Sequence, residues 1–591
     1  MNKSYNKIHV PYDVKGDNEV FDYIVVGSGP AGSMAALELA RHGFETLLIE
    51  AGGNVSNNNI TTPGLMIRTW DDESIAWNFR VDYMDQSRNA RKDIIYPRAS
   101  AIGGCANHNG MVNIYPRAHG FDRLVDITGD SSWSESTFRG YFESIQLESP
   151  PPADPKMDRR FLTLSTDKFS GMKDDPKGKY IVNAITESIE HEKNKQNVND
   201  KQAIGTTEFE PESQYFVPNN IDRKVSPPVR RGPRRAVVDE MARNPKLTVW
   251  TESLVTKIIL EGNIAKGVEY MPGAHLYRAS PIARREKKAA PAIKKVYARK
   301  EIVVSGGTFN TPQIMMLSGI GDSNELKALG IEPKVHLPGV GKNLRDHIEL
   351  SVVWELDSDY VAVDGCRFTD ASDDACWQQY LNNSGAYTHG GPLHLQMLKT
   401  KPELKYNDIW YYAFLGAFVG FTDDMVRLGT TSLRHMSFVV LNPYSGLNQG
   451  TVTLTSNDPR DMPYINFRQY QGENADEDFR RMKYGFEQAR KNLKVFSEIG
   501  KEIIPGPNVT SDEDVKKFIM DNTFSHHACG TMKIGKDSDP MAVLDSNFRV
   551  RGVKNLRVVD QSVMPEAIGD FPTLFTYLLG LKAAEAILSS N

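Results

Sequence analysis

The sequence is poor in several things, and each shortage narrows its class. Four cysteines in 591 residues, Cys105, Cys366, Cys376 and Cys529, are too few and too scattered to predict a disulfide framework or a paired-cysteine zinc site, and a reducing compartment is expected. No stretch reaches the roughly eighteen consecutive apolar residues of a membrane helix, and the first residues lack the apolar core of a signal peptide; no membrane span and a cytoplasmic location are expected. Positive charge is not in excess. With 70 Lys+Arg against 75 Asp+Glu, the formal net charge of -5 gives no global basic field, which argues against nucleic acid as a partner. Internal repeats are also absent. What is present is the composition of an ordinary globular protein, 40% hydrophobic and 25% charged, long enough for two large domains.

The first chemistry-bearing pattern lies near the N-terminus. An apolar run, Phe21 to Val26, leads into Gly27-Ser28-Gly29-Pro30-Ala31-Gly32, and Ala31 to His42 has helix-forming composition. Thr46 to Ile49 reads as a second buried strand ending on Glu50. This is a βαβ unit in which Gly27 permits the tight turn, Gly29 lets backbone approach a pyrophosphate and Gly32 lets helix and strand pack closely. The helix N-terminus supplies amide donors and partial positive charge. Glu50 stands where a carboxylate accepts both hydroxyls of an adenosine ribose, as for NAD or FAD, and would repel the 2′-phosphate of NADP.

The same architecture resumes later. Glu301 to Ser305 reads as a strand, Gly306-Gly307 as a turn, and Thr311-Pro312 as an N-cap and first helical position opening a helix at Gln313. Leu556 to Val559 reads as a further strand and Phe571 to Leu588 as a long apolar helix. A dinucleotide domain assembled from such distant pieces must be interrupted, and Ser351 to Leu356 and Thr451 to Thr455 suggest an antiparallel sheet within Arg345 to Thr523. The basic stretch from Ala283 to Ala290 reads as a solvated loop. Arg230 to Arg235 reads as a surface helix start or an anion contact.

Five blocks in this order resemble the glucose-methanol-choline (GMC) oxidoreductase family: Gly27 to Gly32 with Glu50; Ala99 to Gly110; Gly306 to Gly321; Pro338 to Leu344; and His526 to Thr531 with Val559 to Pro565. The resemblance spans almost the whole chain and includes the choline oxidase and choline dehydrogenase branch. It implies an α/β fold: a discontinuous Rossmann-like FAD-binding domain (residues 18–165, 230–344 and 524–591) and an α+β substrate domain with an antiparallel sheet (166–229 and 345–523). It also implies oxidation of the CH-OH group of a small-molecule alcohol by hydride transfer to flavin N5, with oxygen, a quinone or a dye as electron acceptor. Lyase or decarboxylase chemistry on the same flavin fold, or a catalytically silent flavoprotein, stays open as an alternative.

The resemblance assigns His527 as catalytic base; His526 is a candidate catalytic or pocket residue, with packing or hydrogen bonding behind the site as the favoured role. Where the family has a second His or Asn, this chain has Phe571, which can neither donate nor accept. The neighbouring Asp570 is polar but reads as an N-cap. Gly104, His108, Asn109 and Gly110 fall in the loop along the flavin, Val255 where backbone meets adenine, and Asp560 in the block that closes the cofactor site. His108 marks a candidate covalent link to the 8α-methyl carbon of FAD, with a noncovalent contact as the alternative. Tyr387, His389 and His394 are candidate pocket residues. No metal site is expected, because His526, His527 and Cys529 do not readily converge on one ion and no carboxylate is expected near them.

Overall fold

Strand β1 (Glu19–Val26) carries the apolar run to the middle of a sheet. It pairs in parallel with β2 (Thr46–Ile49) on one side and β3 (Lys294–Val304) on the other. Leu247–Trp250 extends the sheet beyond β2; Ile264–Pro272 and Ser253–Glu261 add an antiparallel hairpin beyond β3; Leu556–Val558 joins β3 in parallel. All four residues of β2, Thr-Leu-Leu-Ile, are buried, as a parallel strand covered on both faces requires. Helix α1 (Pro30–Arg41) connects β1 to β2. The computed structural model describes residues 17–84, 92–166, 175–191, 212–431, 433–446, 450–569 and 571–590. Asp570 and parts of the 166–229 segment lie outside the described residues, as do residues 1–16.

Helix α2 (Gly307–Leu317) starts earlier than Thr311-Pro312 suggests, with Pro312 inside it. Proline lacks the N–H that would bond to the Thr308 carbonyl one turn back, and that carbonyl instead accepts the Thr531 hydroxyl at 2.7 Å. The tertiary partner removes the cost that made the position read as a helix start. Helix α3 (Pro572–Leu588) lies against α1, so close that a Cβ on Gly580 would stand 2.3 Å from the Ala31 carbonyl oxygen.

A second, six-stranded antiparallel sheet runs in the order Gly500–Ile504, β4 (Ile348–Leu356), His435–Asn442, Ile409–Leu415, His394–Leu398, Ser213–Phe216. Alternation along β4 sends Ile348, Leu350, Val352 and Trp354 into a core shared with Met482 and Phe486 of helix Ala475–Leu493. Thr451–Thr453 is not part of this sheet: it forms a two-stranded ribbon with Tyr464–Asn466, the next short strand along the chain.

The cysteine reading needs correction. Cys366 and Cys376 form a disulfide, with Cα atoms 5.1 Å apart. Asp374 folds the intervening loop back by accepting the amides of Arg367, Thr369 and Cys376, which brings together two thiols that look scattered along the chain. The cysteines therefore give no argument for a reducing compartment. The Ala283–Ala290 stretch includes part of a short helix, Pro281–Glu286, and is largely exposed from Arg285 to Ala290. Arg230 is buried rather than superficial: its guanidinium donates to the carbonyls of Ile60, Ala106 and Asn109. No helix among the described residues is long and apolar enough to cross a membrane.

Candidate active site

Between the two sheets lies a cavity of about 300 Å³, lined by residues from four of the five blocks. One end is the glycine turn. Gly27 has φ +94°, and a Cβ there would meet the Ser305 carbonyl oxygen at 2.3 Å. A Cβ on Gly32 would stand 2.1 Å from the Gly27 carbonyl oxygen, whereas a Cβ on Gly29 would meet nothing within 4 Å. The turn is thus closed on the strand side and open on the cavity side at Gly29, where a pyrophosphate fits. Gly104 approaches from the opposite wall; a Cβ there would be 2.9 Å from the Gly29 Cα.

Glu50 lines the same end. Its carboxylate accepts the Ser28 amide at 2.9 Å, the Ser28 hydroxyl at 2.6 Å and the Gly52 amide at 2.8 Å. Burial raises its pKa, and these donors oppose the rise. Val255, in the Ser253–Glu261 strand, also lines the cavity. Asp560 holds the start of α2 against the middle of the cleft, accepting the Gly307 amide at 2.8 Å and the Thr311 hydroxyl at 2.6 Å. Together these features give a site with a turn for phosphates, an acid for ribose and a helix N-terminus. The residues present therefore fit FAD.

The 104–110 loop forms the next wall. Asn109 donates to the Thr573 hydroxyl at 3.1 Å and accepts from Arg230 at 2.7 Å, so the buried arginine sets the loop's path. His108 is 6% exposed and lines the cavity. Burial, then the positive charges of Arg98 and Arg230, pushes its pKa down to about 3, which keeps the imidazole neutral.

At the far end stand His526 and His527, their ring centroids 3.8 Å apart. His527 Nδ1 is 3.0 Å from His347 Nδ1 and 3.4 Å from Glu349 Oε1, and its amide donates to Asp346 at 2.7 Å. His526 Nδ1 lies 3.2 Å from the same Glu349 oxygen. Tyr412 donates its hydroxyl to Glu349, and Tyr96 donates to Asp346. Arg98 clamps the segment by donating to the His526 carbonyl at 3.1 Å and the Tyr96 hydroxyl at 3.1 Å. Phe571, at the N-cap of α3, puts its ring 5.4 Å from that of His527, nearly perpendicular at 88°.

Burial controls the electrostatics here. It lowers the pKa of His527 well below the ordinary value, with His526, His347 and Arg98 adding to the effect, and lowers His347 to about 3. It pushes Asp346 up to about 7 and Glu349 well above the carboxylate range. His527 is therefore neutral at pH 7 and able to accept a proton.

The structure brings together His526, His527, Phe571, Gly27, Gly29, Gly32, Glu50, Gly104, His108, Asn109, Gly110, Val255 and Asp560 around one cavity. It does not bring Tyr387, His389 or His394 there: Tyr387 donates to Asp374, and His394 meets Gln214. Sequence reasoning missed Asp346, His347, Glu349, Tyr412 and Arg98. A signal existed in Asp346-His347-Ile348-Glu349, where a His and an acid two apart at a strand start must share a face. The expectation that no carboxylate is near the histidines is also corrected, since Glu349 arrives from the other sheet.

Residues 21–349 and 447–580 match the N-terminal and C-terminal parts of the GMC oxidoreductase family. The chain is 27% identical over 576 residues to an oxygen-dependent choline dehydrogenase of Brucella anthropi, covering 96% of this chain and 95% of that protein. Among solved structures, a formate oxidase superposes with a TM-score of 0.77 at 21% identity, covering 98% of this chain and 99% of that one. A protein described as an FAD-dependent oxidoreductase, from Chaetomium thermophilum, superposes with a TM-score of 0.74 at 23% identity, covering 96% and 99%. This chain belongs to the GMC oxidoreductase family.

Proposed function

We propose that the protein oxidises the CH-OH group of a small or medium alcohol, with His527 as the base. The observation that carries this reading is the tie between His527 Nδ1 and His347 Nδ1 at 3.0 Å, which commits one ring nitrogen to the protein and leaves Nε2 for substrate. The hydrogen bond at one nitrogen sets the tautomer at the other. With the ring proton on Nδ1, the Nε2 lone pair accepts the hydroxyl proton. FAD, when bound, supplies the two-electron acceptor for the carbinol hydrogen. Gly27, Gly29, Gly32, Glu50, Val255 and Asp560 would hold it at one end, and the 104–110 loop along its ring system.

Phe571 replaces a polar partner by an apolar wall, which Trp70, Phe414, Phe418 and Phe421 continue around the cavity. This favours an alcohol with an apolar or aromatic group beside its hydroxyl over a strongly hydrated one. Oxygen is the proposed electron acceptor, supported by the oxygen-dependent relative. Residues 18–165, 230–344 and 524–591 are proposed as the FAD domain and 166–229 and 345–523 as the substrate domain, because the strands of the first sheet come from the former and those of the second from the latter. A covalent His108 link is proposed because the imidazole is neutral, buried and on the cavity wall.

The test is anaerobic mixing of the holoenzyme with a panel of aliphatic and aromatic alcohols. Bleaching of the flavin band near ~450 nm by at least one, and its return on admitting air, is expected for reduction by substrate. A flavin that no alcohol bleaches would overturn the reading.

A further inference from the structure

Beneath His527 lies a side-chain cluster larger than proton abstraction requires. Strand alternation turns Glu349 to the opposite face of β4 from Ile348 and Leu350, and His347 precedes it by two residues. One donor atom from each of His347, Glu349 and His527 lies within 4.8 Å of the others. Glu349 is fully buried. Its Oε2 accepts the Tyr412 hydroxyl, but Oε1 has no hydrogen-bond partner and sits 3.4 Å from His527 Nδ1. Neither of the nearby imidazole nitrogens, His526 Nδ1 at 3.2 Å and His527 Nδ1 at 3.4 Å, makes a hydrogen bond to it, which leaves the oxygen available to a ligand.

The geometry points to a binding site for one divalent transition-metal ion of the zinc class, held by His347 Nδ1, His527 Nδ1 and Glu349 Oε1. Metal bonds of about 2.0–2.2 Å at tetrahedral angles separate donors by about 3.3–3.5 Å. The separations of 3.0 Å and 3.4 Å about His527 Nδ1 lie close to that range. Two imidazoles and one carboxylate form a donor set for zinc or a similar ion, whereas calcium and magnesium take oxygen ligands. Binding of the ion releases the Glu349 carboxyl proton to solvent, and Tyr412 acts as an outer partner that orients the resulting carboxylate.

Such an ion would inhibit the enzyme. Coordination at Nδ1 occupies the lone pair that otherwise carries the ring proton, so that proton moves to Nε2, and Nε2 can then no longer accept the alcohol proton. The inhibition rests on the assignment of His527 as base; the binding does not.

Calorimetric titration of EDTA-treated holoenzyme with Zn²⁺ is expected to show one saturable equivalent, and Co²⁺ in its place should give visible d–d bands. Glu349→Gln and His347→Gln, checked for folding by circular dichroism, should each weaken Zn²⁺ binding by about tenfold or more. Absence of a saturable equivalent in the wild-type protein overturns the site whatever the variants do. So does unchanged affinity in both folded variants. If Zn²⁺ binds with this ligand dependence yet leaves flavin reduction by a verified alcohol unaffected, the metal site stands and the assignment of His527 as base fails.

Discussion

The His527 side chain is 10% exposed, and its Nδ1 is tied to His347 with Glu349 Oε1 3.4 Å away. Replacing it with Ala removes the proposed proton acceptor and leaves the glycine turn untouched. Anaerobic flavin reduction by a verified alcohol should slow by about 10² or more, the usual scale for a positioned acid-base group, with FAD content unchanged. Stopped-flow absorbance measures both. Acid-precipitated wild-type protein should stay yellow and yield a flavin-bearing peptide containing His108, while His108→Ala should release its flavin to the supernatant. Complete loss of wild-type flavin on denaturation would show that the link does not exist.

At the scale of the strand-turn-helix element, the glycines separate into two physical roles. A Cβ on Gly32 collides with the Gly27 carbonyl at 2.1 Å and lies 2.9 Å from the Ser305 Cβ, so the element cannot close around it. Gly32→Ala should destabilise the fold by about 1–3 kcal/mol, the scale of overpacking, and lower the unfolding temperature even of flavin-free protein. Gly29 faces open space, so Gly29→Asp should keep the unfolding temperature of the flavin-free wild type. It should nevertheless purify colourless, because a carboxylate stands where the pyrophosphate is proposed to lie. Thermal denaturation and the visible spectrum of both variants distinguish a packing glycine from a binding one. Full flavin occupancy in Gly29→Asp would contradict the placement of the phosphates.

Across the whole molecule, burial of ionisable groups sets the dependence of stability on pH. Asp478, in the helix that backs the second sheet, is 1% exposed, and burial pushes its pKa up to about 6 despite the Gly446 amide and Asn442 donors. Between the ordinary carboxyl value of 3.8 and about 6, the folded state binds more protons than the unfolded one, so this group's contribution to stability falls as pH rises through that window and is level above it. The variant Asp478→Asn lacks the titration, and its Oδ1 can still accept the Gly446 amide. The difference in unfolding temperature between Asp478→Asn and wild type should therefore move in the variant's favour from pH 4 to pH 6 and then plateau. For one carboxyl whose pKa rises over that range, the change in stability is at most ~3 kcal/mol. A difference that does not vary with pH would refute the assignment.

Local physics made much of this protein legible in its sequence. A strand, a glycine turn, a helix and an acid are contiguous, so the βαβ unit, its glycine turn and the place of Glu50 follow from steric and periodic rules acting over about thirty residues. Resemblance of the blocks then supplied His527, His108 and Asp560, which stand on the cavity wall. Other features needed the folded chain. Pro312 reads as a helix start because its missing N–H looks costly, and only the Thr531 hydroxyl, far along the chain, shows how that cost is met. Cys366 and Cys376 read as scattered until Asp374 turns their loop back. Above all, Asp346, His347, Glu349 and Tyr412 come from the second sheet and its approach to meet a histidine pair distant in sequence. Alternation along a strand is written in the sequence and tells that two side chains share a face. Which surface that face meets depends on how the two sheets pack, and that decision is made by the tertiary structure.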